Sequence, residues 1–422
     1  MCTLELGSQH AAFLQAVRVI VWDEIYNSNR YDIEAVDRML QDLMNDHRPF
    51  GGKVMVFGGD RRQIPPVIPG AEPDEVARSV ISASRSIWPI CDTTELVHPV
   101  RDADDPEYSR FVDSLGDNTV SAVPLVPGAH EVAYGVESKL CLMPRLATPD
   151  GRCLSHTVDV DDGIHFAYPD LDRLLAHGAE FVHHAVITTT NFEVDNFNRT
   201  IVERMGLTKD DDLLHELLSS DCYNDKGTER GLSDKYLDEL PRQNGIPPHR
   251  LQLFVGAMCM IMRNIDPKRG LVNNTKCIIK KIWEGGTSYS GRTMHKAVEV
   301  ALVVPDPDHA GHYCETDDTY VIPRIKFQFE PPRAKSMTIF RRQFPLALCY
   351  AITGHKAQGQ TLARILIDQR NESFGHGQTY VAFGRACNRD SVRVLVRENR
   401  LHTCDGATHA LIRNVTYPRL LA

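Results

Sequence analysis

The sequence predicts an α/β fold, with parallel sheets in two parts of the chain and a small β-barrel inserted in the second part. Three features predict it. Apolar runs at 17–22 and 54–57 flank a stretch of helical periodicity, the pattern of a βαβ unit. Another apolar run, with a helical pattern behind it, begins at residue 185. Between 251 and about 342 the chain changes to short β-rich segments separated by turn residues.

Taken in order, the first unit spans 1–115. Its first strand is expected to be buried, and Ile33, Val36, Met39, Leu40 and Leu43 recur at helical spacing behind it. Gly51-Gly52 resets the chain, and a right-handed crossover puts both strands in one parallel sheet with their carboxyl ends on one edge. Pro65, Pro66, Pro69 and Gly70 then break the chain. Residues 116–180 are loop-rich and read as a linker with local structure. In the second unit, Asn191 is the expected N-cap of a helix whose apolar face is Val194, Phe197, Ile201, Val202 and Met205. Glu193 and Asp195 suit the positive end of its dipole. Strands are expected at 258–262, 277–282, 297–304 and 320–329 in the 251–342 insert. Buried strands at 346–352, 364–368 and 392–396 bring the chain back to α/β, so 181–250 and 343–422 form the second parallel-sheet domain.

Composition is that of an ordinary globular protein, 42% hydrophobic and 24% charged, and 422 residues supply two or three cores. No apolar run approaches the ~20 residues of a membrane span, so no membrane is expected as a partner. Residues 1–6 lack targeting character. Eleven cysteines without a C-x-x-C pair favour reduced thiols over a disulfide framework. A net charge of −9 argues against a coat of nucleic acid. Charge is uneven, however: 324–370 holds nine Lys/Arg against two Asp/Glu, and acid gathers at Asp102, Asp104, Asp105, Asp159, Asp161 and Asp210 to Asp212. A basic stripe on an acidic body suits nucleic acid held along one groove, and a solvated basic face is the other reading.

The chemistry is carried by short constellations. Asp23-Glu24 ends the first strand, and Gly58-Gly59-Asp60-x-x-Gln63 ends the next. Together they are half of a nucleotide-hydrolysing site: one carboxylate for Mg²⁺, one to polarise water, and a glutamine near a γ-phosphate. A surface turn is the alternative for the acidic pair alone. Thr353-Gly354-His355-Lys356-Ala357-Gln358-Gly359-Gln360-Thr361 follows a buried strand, and its small residues and donors suit a phosphate backbone; a Gly-rich strand-to-helix turn is the alternative. Arg385 closes a short helical segment and could act as an arginine finger, and Arg101 has the same ambiguity with a surface ion pair. His309, His312 and Cys314 lack a fourth ligand at metal spacing, so they read as loop residues, and His183-His184 points to nothing specific.

These residues resemble the Pif-type (petite integration frequency) DNA helicases of superfamily I, especially the branch carried by Helitron transposons. The matching blocks are IVWDEI at 20–25, FGGDRRQIPPVIPG at 57–70 and TTTNFEVDNFN at 188–198. LQLFVGAMCMIMRNIDPKRGLVNNT at 251–275, RRQFPLALCYAITGHKAQGQTL at 341–362 and HGQTYVAFGRA at 376–386 follow in family order. The resemblance implies two RecA-like (P-loop NTPase) domains, the first truncated, with a small β-barrel in the second. It implies ATP and Mg²⁺ as cofactors, single-stranded DNA and forked duplex as partners, and 5′→3′ translocation with unwinding. It also implies a nuclear place in DNA repair, recombination and telomere maintenance.

By that resemblance Asp23 holds Mg²⁺ and Glu24 is the base. Gln63, Arg101 and Arg385 stabilise the γ-phosphate, Gln358 and Gly359 adjoin the nucleotide, and Thr353, His355, Lys356 and Thr361 meet the DNA. Ala357 stands where the family usually has Ser, Phe383-Gly384 where it has Leu-Ser, and Asn274 where it has Gly. The family's Gly-rich loop with its Lys-Ser/Thr is expected ahead of residue 1, so catalytic incompleteness is expected of these residues alone. The rival reading is a transposon-derived remnant that binds DNA or a partner without turning over ATP.

Overall fold

The computed structural model describes residues 4–5, 7–98, 100–123, 128–143, 154–207, 213–225, 228–240, 242–243, 245–287, 293–309, 312–331, 337–404 and 407–421. Asp210 to Asp212, and Arg333 and Lys335 of the basic window 324–370, lie outside the described residues. Two compact units result: 1–158 with 357–361 and 367–422, and 159–356 with 362–366.

In the first unit the strand Val19–Trp22 pairs in parallel with Val54–Phe57, Val19 opposite Val54 and Trp22 opposite Phe57. The intervening helix Arg30–Met44 starts where the Asn29 side chain accepts the Tyr31 N–H. Ile33, Leu40 and Leu43 pack with Phe50, Ile81 and Ile87, as the 3.6-residue period requires. Gly51 has φ +62, and a Cβ there would lie 2.4 Å from the Leu40 carbonyl oxygen, so the turn before the second strand can pack against the helix only with glycine at this position. The expectation of a buried first strand needs correction. Val19, Val21, Val54 and Val56 are 52%, 68%, 57% and 48% exposed. The helix layer covers only the Ile20, Trp22, Met55 and Phe57 face of this two-stranded sheet.

The same unit holds the helix Pro106–Gly116, capped by Asp105, and a four-stranded antiparallel sheet. That sheet runs Leu401–Cys404, Ala407–Thr416, Val136–Leu142, His130–Ala133. Ser155–Thr157 pairs in parallel with Val392–Leu395. The short helix Gln378–Phe383 docks on Pro106–Gly116, with Phe111 and Phe383 edge to face at 5.3 Å and the Tyr108 hydroxyl donating to the Phe383 carbonyl at 2.7 Å. Asp105 is ion-paired with Arg389. Through these contacts residues 367–422 group with 1–158, whereas the sequence placed 343–422 together in the second domain. The expected linker 116–180 carries the hairpin of 130–142, the strand Ser155–Thr157 and the helices Val160–Ala167 and Leu171–Ala176.

In the second unit His184–Thr188 pairs in parallel with Ala351–Thr353. The helix Asn191–Arg204 follows, and its cap is Thr190 rather than Asn191: the Thr190 hydroxyl accepts the Glu193 N–H at 3.3 Å. Val194, Phe197, Ile201 and Val202 form the buried face. A five-stranded antiparallel sheet runs Tyr313–Pro323, Thr293–Pro305, Lys276–Thr287, Met258–Ile261, Leu346–Leu348. A four-stranded sheet runs Ile325–Phe329, Ile339–Gln343, Ser220–Asp225, Thr228–Gly231. Two expected strands thus divide between sheets. The run 320–329 breaks between Pro323 and Ile325, and 346–352 breaks at Cys349-Tyr350. Tyr350 explains the second break: its hydroxyl accepts the Met258 N–H at 3.1 Å, while its carbonyl accepts the Val186 N–H at 2.9 Å. No helix among the described residues is long and apolar enough to cross a membrane.

Candidate active site

The first strand delivers Asp23 and Glu24 beside the end of the second. The Gly58 N–H donates to the Trp22 carbonyl (3.0 Å) and the Ile25 N–H to the Gly58 carbonyl (2.8 Å). The glycine pair permits this approach: a Cβ on Gly58 would stand 3.0 Å from Asp23 Oδ1, and one on Gly59 3.1 Å from Ile25 Cγ2. Asp23 Oδ1 accepts the Glu24 N–H at 2.9 Å. Glu24 has a left-handed backbone at φ 53, a conformation that costs a side-chain-bearing residue on the order of 1 kcal/mol. Burial, then the charge of Asp23, pushes the Glu24 carboxyl up, while Arg385 and Arg101 oppose that shift.

Arg385 is buried, and its one hydrogen bond among the described residues runs from Nε to the Val381 carbonyl at 3.1 Å. Burial and the neighbouring Arg101 cation pull the Arg385 guanidinium down to about 10. Arg101 donates from Nε to Thr361 Oγ1 at 3.0 Å and from Nη1 to the Gly384 carbonyl at 2.8 Å. Two guanidiniums therefore lie close enough to disfavour each other beside a half-buried carboxylate. With one hydrogen bond among the described residues, the Arg385 guanidinium keeps further N–H donors for an anionic group.

The loop 60–63 is tied to the segment that starts the Arg385 helix. Asp60 Oδ2 accepts the Tyr380 hydroxyl at 2.6 Å, and Asp60 Oδ1 accepts Arg62 Nε at 3.1 Å. The Arg62 guanidinium stacks 4.9 Å from the Tyr380 ring centre. His376 Nε2 stands 2.9 Å from the Arg61 carbonyl, and its Nδ1 accepts the Tyr417 N–H at 2.9 Å, which assigns the proton to Nε2. Burial pulls the His376 imidazole down to about 4. Gln358 Nε2 reaches Gln63 Oε1 at 3.5 Å and the Ile64 carbonyl at 3.2 Å. Gly359 at φ +74 turns the chain behind Gln358, with nothing within 4 Å of a would-be Cβ.

The structure thus gathers Asp23, Glu24, Gln63, Arg101, Gln358, Gly359, Thr361 and Arg385 in the first unit. Thr353, His355 and Lys356 belong to the second. Thr353 ends its strand, with its hydroxyl accepting the Lys356 N–H at 3.4 Å. Burial lowers the His355 imidazole, and burial followed by Arg242 lowers the Lys356 ammonium. The basic stretch 324–370 does not form one cationic face. Arg341 is buried against Asp221 at 2.7 Å, and Arg370 pairs with Asp368 at 2.8 Å in the other unit. A sum over a sequence window could not see these pairs. The sequence reading also missed Tyr380 and His376 as loop anchors, because Tyr380 resembles a packing residue and its partner Asp60 is 320 positions away.

Residues 1–119 match the family described as PIF1-like helicase, and residues 235–282 match the DNA helicase Pif1 2B domain. Over 421 residues the chain is 24% identical to the ATP-dependent DNA helicase PIF1 of Candida albicans, covering 90% of this chain and 43% of that protein. The human ATP-dependent DNA helicase PIF1 is 26% identical over 396 residues, covering 93% and 48%. The chain therefore spans less than half the length of these relatives. The crystal structure of Pif1 helicase from Candida albicans aligns with a TM-score of 0.53 at 22% identity, covering 91% of this chain and 74% of that one. That of Bacteroides Pif1 bound to ssDNA aligns with a TM-score of 0.56 at 17% identity, covering 93% and 74%. The fold is that of the RecA-like Pif1 helicases, and residues 1–119 and 235–282 carry the sequence patterns of the PIF1-like helicase and Pif1 2B-domain families.

Proposed function

We propose that the chain is part of an ATP-dependent DNA helicase that couples ATP hydrolysis to 5′→3′ movement on single-stranded DNA and to duplex unwinding, with a place in the nucleus. The observation that carries the reading is the convergence of Glu24, Arg101 and Arg385 beside the loop of Gln63. Two guanidiniums that disfavour each other fit a triphosphate, and the adjacent carboxylates of Asp23 and Glu24 fit Mg²⁺. When bound, Mg²⁺ supplies charge neutralisation on the phosphates.

In this reading Asp23 holds the metal and Glu24 takes the proton of the attacking water; its raised proton affinity suits that task. Arg385, already desolvated, donates to the γ-phosphate without a further solvation cost, and Arg101 supports it. Gln63 positions the water or phosphate and Gln358 reports the change to the segment 353–361. Thr353, His355, Lys356 and Thr361 grip the strand's phosphates. A helicase from Bacteroides that matches this fold was solved with ADP-AlF3 and ssDNA, which supports both ligands.

The test is DNA-stimulated ATP hydrolysis by a fusion that supplies the phosphate-binding segment these residues do not contain. Glu24→Gln should leave ATP binding intact and abolish turnover, and Arg385→Ala should lower kcat by ~10³-fold or more. Unaltered kcat in Arg385→Ala would make that arginine structural. A fusion that binds DNA but never hydrolyses ATP would favour the remnant reading.

A further inference from the structure

The helix Asn191–Arg204 turns its apolar face, Val194, Phe197, Ile201 and Val202, into the second unit. Phe192 is not on that face. It shares the i, i+3, i+7 row with Asp195 and Arg199, and its ring is 71% exposed. An exposed phenylalanine on the polar row of a helix contributes nothing to the core. It opens instead onto a cleft of roughly 880 Å³ that Asp195, Arg199 and Arg242 also line. Arg242 is ion-paired with Asp195, and the charges of Arg242, Lys356 and Arg199 all act on that one carboxylate. A second, smaller cavity, lined by Asn191, Arg242, Thr353 and Lys356, adjoins the same helix start. An accessible aromatic ring therefore stands on the rim of a cleft that holds Arg199 and Arg242 with their acidic partners Glu203 and Asp195, one residue from the Asn191 that lines the cavity of Thr353 and Lys356.

That combination is the chemistry of a single-strand site: cations follow the backbone while a ring offers its face to a base. We propose that Phe192 is a base-stacking platform for single-stranded DNA, receiving the nucleobase whose phosphate lies at Thr353 and Lys356. The proposal rests on the DNA-binding reading above and adds to it a residue that recognises the base rather than the backbone. Stacking is sequence-tolerant because every base has a π-face, so Phe192 gives grip without sequence choice. Arg199 of the same row and Lys356 make the backbone contact salt-dependent.

The experiment is fluorescence anisotropy of the full 422-residue chain with a labelled oligo-dT and with an abasic strand of equal length and charge. Phe192→Ala should weaken oligo-dT binding by roughly 5- to 150-fold, the range for losing one base–aromatic stack. It should leave abasic binding unchanged. Phe192→Trp should restore affinity, with its indole fluorescence quenched on oligo-dT and not on the abasic strand. Equal oligo-dT binding by wild type and Phe192→Ala would overturn the platform while leaving the DNA reading intact. Equal losses on both strands would also overturn it, because the effect would then be on the fold or the backbone contacts. Absence of wild-type binding at low salt would overturn the DNA reading and the platform together.

Discussion

His376 shows how one buried side chain can hold an active-site loop. Its neutral ring bridges the Arg61 carbonyl and the Tyr417 N–H, and protonation would put a charge where there is little water and a donor where an acceptor is needed. Its folded pKa of about 4 lies below the ordinary 6.5. The unfolded chain therefore binds a proton between those values that the folded chain refuses. Stability is full above the unfolded value and falls as the pH drops towards the folded one. The loss attributable to this ring is on the order of 3 kcal/mol. Urea denaturation at pH 7 and pH 4.5 should show a smaller drop for His376→Gln than for wild type, since other carboxylates and histidines titrate in both. Parallel drops would place the acid sensitivity elsewhere. At this scale the carboxylates were legible in the sequence, because Asp23 and Glu24 directly end an apolar run. His376 was not, because its role depends on partners 315 and 41 positions away.

At the scale of elements, the approach of the loop 60–63 to the Arg385 helix depends on a glycine. Gly377 caps that helix at φ +72, and a Cβ there would stand 2.3 Å from the Arg62 carbonyl oxygen. Gly377→Ala should therefore cost roughly 1–3 kcal/mol in urea denaturation, from backbone strain and displacement of the loop. Gly375→Ala is the control: its Cβ would meet nothing closer than Gln378 Nε2 at 3.5 Å, an ordinary contact. Equal stability of the two variants would show that the loop yields freely. Helices with a strong period were legible, as Ile33, Leu40 and Leu43 show. The long strand Ala407–Thr416 was not, since its partner Val136–Leu142 lies about 270 residues earlier and no local pattern announces the pairing. The run 346–352 misled for a related reason: apolar period reports burial, and a single buried run can serve two sheets.

The exposed valines of the first sheet matter to the whole molecule. Val19 faces Val54 and Val21 faces Val56, so their side chains form one apolar strip on a sheet whose other face is packed. A parallel sheet normally has both faces covered, and an open apolar strip next to a bare strand edge promotes self-association. Replacing Val21 and Val56 by threonine keeps the β-branched shape and adds a hydroxyl. The double variant should scatter less light at equal concentration, while its unfolding free energy changes by no more than about 0.5 kcal/mol per site. Unchanged scattering would show that the strip is not the source of association.

The same scale decides whether these residues can turn over ATP by themselves. Phosphoryl transfer in P-loop enzymes depends on backbone N–H groups of a Gly-rich loop at a helix start, with a lysine on the β- and γ-phosphates. The 422 residues contain no Gly-Lys-Ser or Gly-Lys-Thr, and the nearest approach, Gly52-Lys53-Val54, leads into the strand Val54–Phe57. Lys53 is committed there, donating from Nζ to the Val17 carbonyl at 2.7 Å and the Gln15 carbonyl at 3.2 Å. Glu24, Arg101 and Arg385 can draw a phosphate by charge, yet charge alone does not fix the line of attack, and positioning is most of the catalysis in this reaction. The chain should therefore show no DNA-stimulated hydrolysis above background, while the fusion carrying a phosphate-binding segment turns over and its Glu24→Gln form does not. Turnover of ~1 s⁻¹ or faster by the 422 residues alone, within the usual range of enzymes, would require a phosphate seat formed by other groups. Retention of that turnover in Arg385→Ala would then exclude the cluster assembled around Glu24.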